Sequence, residues 1–277
     1  METNPTSSTY IGLNRSLHWP VSASFLIGAV LCTSFAVGQS GSQDVTFGIG
    51  TGANNRVFAM AAQPDGKHIL GGSFTSYNGT ALNRLTRINR NGTRDASFTI
   101  GTGPNSQVTA IAVASDGKIV IGGAFSAYNS TLSNRLARLN VNGGLDNTFN
   151  MGSGFAGGTV NSIAIQADGR IVVVGTFTSF NGTSCGRVAR LITDGSLDPS
   201  FTIGAGANGD IYSVAIDANG KALLAGSFTS VGGTARPGLA RLNTNGTLDT
   251  TFNPGVGPNG AVYCVTHQRD GKVLVGG

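Results

Sequence analysis

The chain repeats itself every 51 or 52 residues, and this repetition constrains its fold more than any other feature. Five Asx-Gly turn tripeptides mark the period: Asp65-Gly66-Lys67, Asp116-Gly117-Lys118, Asp168-Gly169-Arg170, Asn219-Gly220-Lys221 and Asp270-Gly271-Lys272. Two phenylalanine series keep the same period: Phe74, Phe125, Phe177 and Phe228, then Phe47, Phe98, Phe149, Phe201 and Phe252. Self-similarity at roughly 50 residues is typical of repeat proteins, in which each unit buries its apolar face only against its neighbours.

The second copy shows how a unit divides into strands. Residues 108–114 (VTAIAVA) and 118–125 (KIVIGGAF) have β-rich composition and flank Asp116-Gly117, which favours a two-residue type I′ hairpin. After a predicted loop at 126–134, residues 135–140 (RLARLN) form a third strand, and a short fourth segment ends at Phe149. Three to four antiparallel strands in about 50 residues make one propeller blade.

Composition supports the same fold class. The 43 glycines and the low charged fraction of 11% are unlike a helical protein, and no apolar stretch after the N-terminal segment shows helical periodicity. We therefore predict an all-β fold, a partial or open β-propeller with four complete copies and partial copies at both ends. Glu2 is the only glutamate, which excludes acid/base chemistry by glutamate in the repeats.

The N-terminal segment has the pattern of a signal peptide. An apolar run at residues 21–38 follows basic residues and ends in the small-residue sequence Ala36-Val37-Gly38. We predict a signal peptide at 1–38, a repeat domain at 39–277, and a secreted or cell-surface location with no stable membrane span after cleavage. The alternative is an uncleaved membrane anchor, because the run approaches the length that spans a bilayer.

Several motifs recur in order in the repeats: QPDGK at 63–67, GGSFTS at 71–76, RLARLN at 135–140 and NGTLDTTF at 245–252. In these motifs the chain, over roughly residues 44–277, resembles the delta-60 repeat family. The resemblance implies a β-propeller module of large bacterial surface or secreted proteins. It implies no catalytic role and brings no functional site.

The two ends of the repeat region are partial. It opens at residues 44–47 (DVTF), the tail of a unit, and stops at Gly276-Gly277, where other copies continue SFTS. We therefore expect a C-terminally truncated product or a fragment of a longer array, with further repeats or domains in the parent protein.

Two charged positions recur in every complete copy, separated by an Asx-Gly turn. Because a site is normally built once, we interpret them as structural charge-assisted pairs across a hairpin. The pairs comprise Arg87, Arg138, Arg190 and Arg241 with Asp95, Asp146, Asp198 and Asp249.

Patterns that suggest ligands have simpler explanations. The G-x-G-x-x-G stretches at 204–209 and 255–260 precede strands rather than the helix that a dinucleotide site needs, so we interpret them as blade-linking turns. The aspartates at 194–198 and 217–220 lack the ligand spacing of a calcium loop and suit turn capping. Neither His68 and His267 nor Cys185 and Cys264 form a zinc or nucleophile pattern. We predict no catalytic residue, metal or cofactor.

Three functional hypotheses remain. The first is a non-enzymatic extracellular scaffold or binding module whose loops or channel contact a protein or glycan. The second is an extracellular propeller lyase or hydrolase with a site in the central channel, assembled from residues that differ between blades. The main departures from the repeat are Asp210, Asp217, His68, His267 and Arg236. The third is a fragment without independent function. The net charge of +5 is spread through the repeats, so nucleic acid is not an expected partner.

Overall fold

A computed structural model describes residues 46–48, 50–268 and 270–277, and the predicted signal peptide lies outside them. The described residues form 23 β-strands and no helix. None of them belongs to a helix long and apolar enough to cross a membrane. The strands are β1 Val57–Ala62, β2 His68–Gly72, β3 Ser76–Tyr77, β4 Thr80–Ala81, β5 Leu85–Ile88, β6 Val108–Val113, β7 Ile119–Gly123, β8 Ala127–Tyr128, β9 Thr131–Leu132, β10 Leu136–Leu139, β11 Phe155–Ala156, β12 Val160–Ile165, β13 Ile171–Gly175, β14 Ser179–Phe180, β15 Thr183–Ser184, β16 Val188–Leu191, β17 Ile211–Ile216, β18 Ala222–Gly226, β19 Ser230–Val231, β20 Thr234–Ala235, β21 Leu239–Leu242, β22 Cys264–His267 and β23 Val273–Gly276.

Each complete unit forms one antiparallel sheet of three long strands. The sheets have the orders β1-β2-β5, β6-β7-β10, β12-β13-β16 and β17-β18-β21, and β22-β23 begins a fifth. The fourth segment of a unit is reduced to a single bridge, such as Leu139 with Leu145. The sheet of each unit is therefore a blade with a short outer edge.

Successive blades pack side by side through their first strands, which we call the inner strands. β1 contacts β6, β6 contacts β12, β12 contacts β17, and β17 contacts β22. The apolar clusters cross these junctions: Val160 of the third blade is fully buried with Val120 and Leu136 of the second. This arrangement confirms the predicted β-propeller of repeated antiparallel blades.

A glycine near the end of each second strand is required by the adjacent backbone. The amide of Ala124 donates to the carbonyl of Gln107 at 3.0 Å, beside a register shift between Val108 and Ala110. A Cβ on Gly123 would lie 2.1 Å from that carbonyl oxygen, a distance that no side chain tolerates. The same close approach recurs at Gly72, Gly175, Gly226 and Gly277.

Two local predictions were wrong. A type I′ turn needs positive φ at both central residues, but Asp116 has none, and Lys118 pairs with Ala114 across a three-residue loop that ends in Gly117 at φ 81°. The aspartate instead caps the turn, since its Oδ1 accepts the amide of Lys118 at 3.0 Å. The predicted loop at 126–134 contains the small hairpin β8–β9.

Side-chain sizes are matched across the blade junctions. A Cβ added to Gly122 would lie 2.4 Å from Val160 and 2.9 Å from Ile163 of the next blade. These two side chains therefore occupy the space beside the glycine. In the next unit Val174 replaces that glycine and packs in one cluster with Val214, which replaces the isoleucine. A larger residue on one blade thus faces a smaller residue on the next.

We predict that Gly122→Val destabilises the protein by about 1–3 kcal/mol, because the added side chain overlaps the next blade's inner strand. Urea unfolding of the full chain measures the loss. The double variant Gly122→Val/Ile163→Val, which carries the valines that the following junction has at these two positions, should recover part of it. Equal stability of the single and double variants would contradict the size matching.

Candidate functional site

The recurrent arginine and aspartate meet at the turn end of each blade. In the second blade, Asp146 Oδ2 lies 2.7 Å from Arg138 Nε and 2.9 Å from Lys118 Nζ. Its other oxygen accepts the amide and the hydroxyl of Thr148, at 3.0 and 2.7 Å. Every acceptor position of this buried carboxylate is therefore used by a donor.

The other three complete blades repeat this geometry. The arginine Nε lies 2.8 Å from the carboxylate in the pairs Arg87–Asp95, Arg190–Asp198 and Arg241–Asp249. A second cation completes each site: Lys67, Arg170 and Lys221. Burial on its own raises the pKa of these carboxyl groups, but the hydrogen bonds and opposite charges prevail and hold the pKa of all four below its ordinary value.

The arginine also joins its blade to the next one. Arg87 Nη1 donates to the carbonyl of Val141 at 2.8 Å, and its guanidinium carbon lies 4.8 Å from the centre of the Phe98 ring. That ring packs on the turn at Gly143 of the next blade. Arg138 and Arg190 make the corresponding bonds to Thr193 and Thr244. The predicted pairs are thus brought together at blade junctions.

Arg241 provides an internal comparison. It pairs with Asp249 at 2.8 Å, yet its side chain is 24% exposed, against 12% for Arg138.

We predict that Arg138→Met lowers the free energy of unfolding by about 3–5 kcal/mol, since a buried carboxylate loses one partner and the junction loses one donor. Arg241→Met should cost less. Unchanged stability of the Arg138 variant would reject the pairing as a structural element.

The lowered pKa values predict a stability that depends on pH. A carboxyl group whose pKa is lowered by folding stabilises the protein above its unfolded pKa of about 4, and this contribution is lost as pH falls further. We expect the free energy of unfolding to fall steadily below about pH 4. Asp146→Asn should be much less stable than the wild type at pH 7, and the difference should shrink towards pH 3. A constant difference would contradict this account.

The five departures from the repeat do not assemble into one site. Asp210 and Asp217 stand at opposite ends of β17, and His68 lies in the first blade. Asp210 lies 3.4 Å from Arg187 Nε, and Asp217 Oδ1 caps its own turn. Burial lowers the pKa of His267, and the charge of Asp217 opposes this shift. Arg236 donates to the carbonyl of Ala235.

The other candidate positions serve local structure. The amide of Ser196 donates to Asp194 Oδ1 at 2.8 Å, as a turn cap does. The glycine stretch at 204–209 leads directly into β17. Burial raises the pKa of the free Cys185 thiol to about 11, and Cys264 is also a free thiol. Within the described ranges, no three His, Cys, Asp or Glu side chains are grouped so that they could hold a metal ion.

One column of the repeat was not singled out from the sequence. The second residue of each of the first four inner strands lies at a register shift, and Tyr263, directly before β22, is its counterpart in the fifth blade. The residue varies from blade to blade: Phe58, Thr109, Asn161, Tyr212 and Tyr263. Thr109 and Asn161 donate to carbonyls of the next inner strand. In the last two positions the side chains are aromatic, with ring centres 5.2 Å apart. The variation of this column between constant neighbours was the available sequence signal.

The tyrosine pair is partly accessible, because Tyr263 is exposed and Tyr212 is half-buried. Tyr263 is 40% exposed, and Tyr212 donates its hydroxyl to Ser227 Oγ at 3.2 Å, which fixes the ring at the surface. A rigid pair of aromatic rings offers apolar area and polar edges together, which suits contact with another molecule. We call Tyr212, Tyr263 and Ser227 the tyrosine patch.

Fold and junction geometry together define a β-propeller repeat protein. The chain belongs to the family described as domain of unknown function (DUF5122) beta-propeller, whose model matches residues 63–98, 114–149, 166–201 and 218–252, just over half of the chain. This agrees with the resemblance at the level of a propeller repeat family, and the delta-60 designation stays a prediction. A comparison with curated protein sequences finds no match.

Solved structures similar to this chain are also propellers. The WD40 β-propeller domain of Doa1 has a TM-score of 0.54 at 16% identity, over 80% of this chain and 61% of that one. The gluconolactonase XC5397 from Xanthomonas campestris has 0.52 at 15% identity, over 79% and 68%. The extracellular domain of BT4673 from B. thetaiotaomicron has 0.48 at 18% identity, over 80% and 26%. The chain thus spans about three fifths of the first protein and a quarter of the last.

Proposed function

We propose that this chain is a secreted or cell-surface, non-enzymatic repeat module that binds an extracellular protein or glycan. Its four complete blades form the scaffold, and the surface where the fourth and fifth blades meet makes the contact. The predicted signal peptide and the resemblance to surface-protein repeats support the location. The tyrosine patch supports the contact surface.

The observation that carries this proposal is the contrast between two sets of side chains. The recurrent charged residues bond to one another within the junctions, where both oxygens of Asp146 already accept from donors of the chain itself. The tyrosine pair instead lies in a column that varies, with Phe58, Thr109 and Asn161 in the other blades. Residues that maintain the fold recur, and residues that meet a partner are free to differ.

The enzyme hypothesis has weaker support. Likeness to a gluconolactonase at 15% identity concerns the fold. Among the residues named for a channel site, Asp210 lies 3.4 Å from Arg187 Nε and Asp217 caps its own turn. Lactonase or glycoside hydrolase activity that is abolished by His267→Ala with the fold intact would replace our proposal.

We predict selective binding of the purified chain to a subset of an extracellular-protein and glycan array. Tyr212→Ala and Tyr263→Ala should each weaken binding about ten-fold or more, since central aromatic residues carry much of the energy of an interface. Leu132→Ala is the matched control, an exposed apolar residue 63% accessible on a different blade, and should bind as the wild type does. An array without hits, or equal losses in all three variants, would contradict the proposal.

A further inference from the structure

A second arginine series fills the gaps between blades at the end opposite the charge network. Arg84, Arg135 and Arg187 occupy one repeat position, with φ of 62°, 68° and 70°. Each guanidinium donates a hydrogen bond to a carbonyl in the loop that leads into the next blade's inner strand. The pairs are Arg84 with Pro104 at 3.1 Å, Arg135 with Gly158 at 2.7 Å and Arg187 with Ala207 at 2.9 Å. Each of these three junctions therefore holds a guanidinium group on a backbone carbonyl of the next blade.

The fourth blade has Gly238 at this position. Its φ of 65° matches the arginines, so the backbone is unchanged and only the side chain differs. An open cavity of about 290 Å³ lies here, between the fourth and fifth blades. Its lining comprises residues 226–229, Pro237, Gly238 and residues 258–261.

The carbonyls that bind a guanidinium elsewhere are present in this cavity. By repeat alignment, Pro258 corresponds to Pro104 and Ala207, and Gly260 to Gly158. The oxygen of Gly260 lies 3.5 Å from where a Cβ on Gly238 would stand. Carbonyl dipoles attract a cation, and a planar guanidinium with several N–H groups can bond to more than one carbonyl oxygen.

We propose that this cavity, which we call the Gly238 pocket, binds a guanidinium group, namely an arginine side chain of a protein partner. The chain binds its own guanidinium groups at three junctions and leaves the fourth for an external one. Ser227 lines the pocket and also accepts the hydroxyl of Tyr212, so the pocket adjoins the tyrosine patch. The assignment to a partner's arginine rests on the proposed function, whereas the preference of the pocket for a guanidinium group does not.

Two neighbouring residues set the expected affinity. Where the third junction has Asp210 beside its arginine, at 3.4 Å, the Gly238 pocket has Ala261, so it offers neutral acceptors only. Arg236, two residues before Gly238, is a like charge on the same segment. Binding of a free small cation should therefore be weak, and both residues can be changed to strengthen it.

The test is a titration of the full chain with methylguanidinium, followed by the amide NMR shifts of Gly238, Leu239 and residues 259–262. We expect saturable shifts confined to these residues, while urea, the neutral planar analogue, produces none that saturate. Ala261→Asp should tighten binding about ten-fold by adding a charge-assisted bond, and Arg236→Leu should also tighten it. Gly238→Arg should abolish binding, since the chain then supplies its own guanidinium.

Arg187→Gly provides the matched gain of site. It should create a second methylguanidinium site at residues 206–210, tighter than the first because Asp210 remains there. Absence of saturable shifts in both the wild type and Ala261→Asp would overturn the proposal, as would unchanged shifts in Gly238→Arg. Binding by Arg236→Leu but not by the wild type would also overturn it, because Arg236 would then be the occupant. A failed partner array with intact methylguanidinium binding would reject the proposed function and leave the pocket established.

Discussion

The fold depends on the packing of each blade's inner strand against the sheet of the blade before it. A three-stranded sheet of this size cannot bury its own apolar face, so Val160 is buried by Val120 and Leu136 of the preceding unit. This dependence explains why the four apolar clusters lie at junctions rather than within blades. It also explains the matched sizes of Gly122 with Ile163 and of Val174 with Val214. Two blades fill one close-packed core, so a larger side chain on one blade requires a smaller one on the other.

The charge networks extend the same dependence to polar groups. Burying a carboxylate such as Asp146 is unfavourable unless every oxygen finds a donor, and here Arg138, Lys118 and Thr148 provide them all. The arginine also donates from Nη1 to the carbonyl of Thr193 on the next blade and from Nη2 to Thr148 Oγ1. The ion pair lies within one blade, whereas the arginine's bond to the carbonyl of Thr193 reaches the next blade and would be lost in any other alignment of the two. The network therefore specifies the register of the stack as well as supporting it.

Much of the architecture was predictable because repetition shows it directly. The period of Asx-Gly turns and the two phenylalanine series gave the number and type of units, and the spacing of Arg138 and Asp146 suggested their pairing. The turn type was not predictable from Asp116-Gly117, because the loop gains a residue when Lys118 pairs with Ala114. The tyrosine patch was also missed, since only the bulge in each inner strand places that column at the surface.

Repetition also changes how a functional site is recognised. In a protein without repeats, a glycine such as Gly238 carries no information about what it replaces. Here three other units show that an arginine fits the same backbone conformation, with φ of 62° to 70°, and show which carbonyls it binds. The three junctions with an arginine therefore show how a guanidinium group is bound at this position. Because the backbone conformation is kept at Gly238 while the side chain is removed, the exchange leaves the scaffold unchanged and alters only what the junction can accept. A site of this kind arises at small structural cost, since the acceptors that define its ligand are the ones the repeat already uses to hold its blades together.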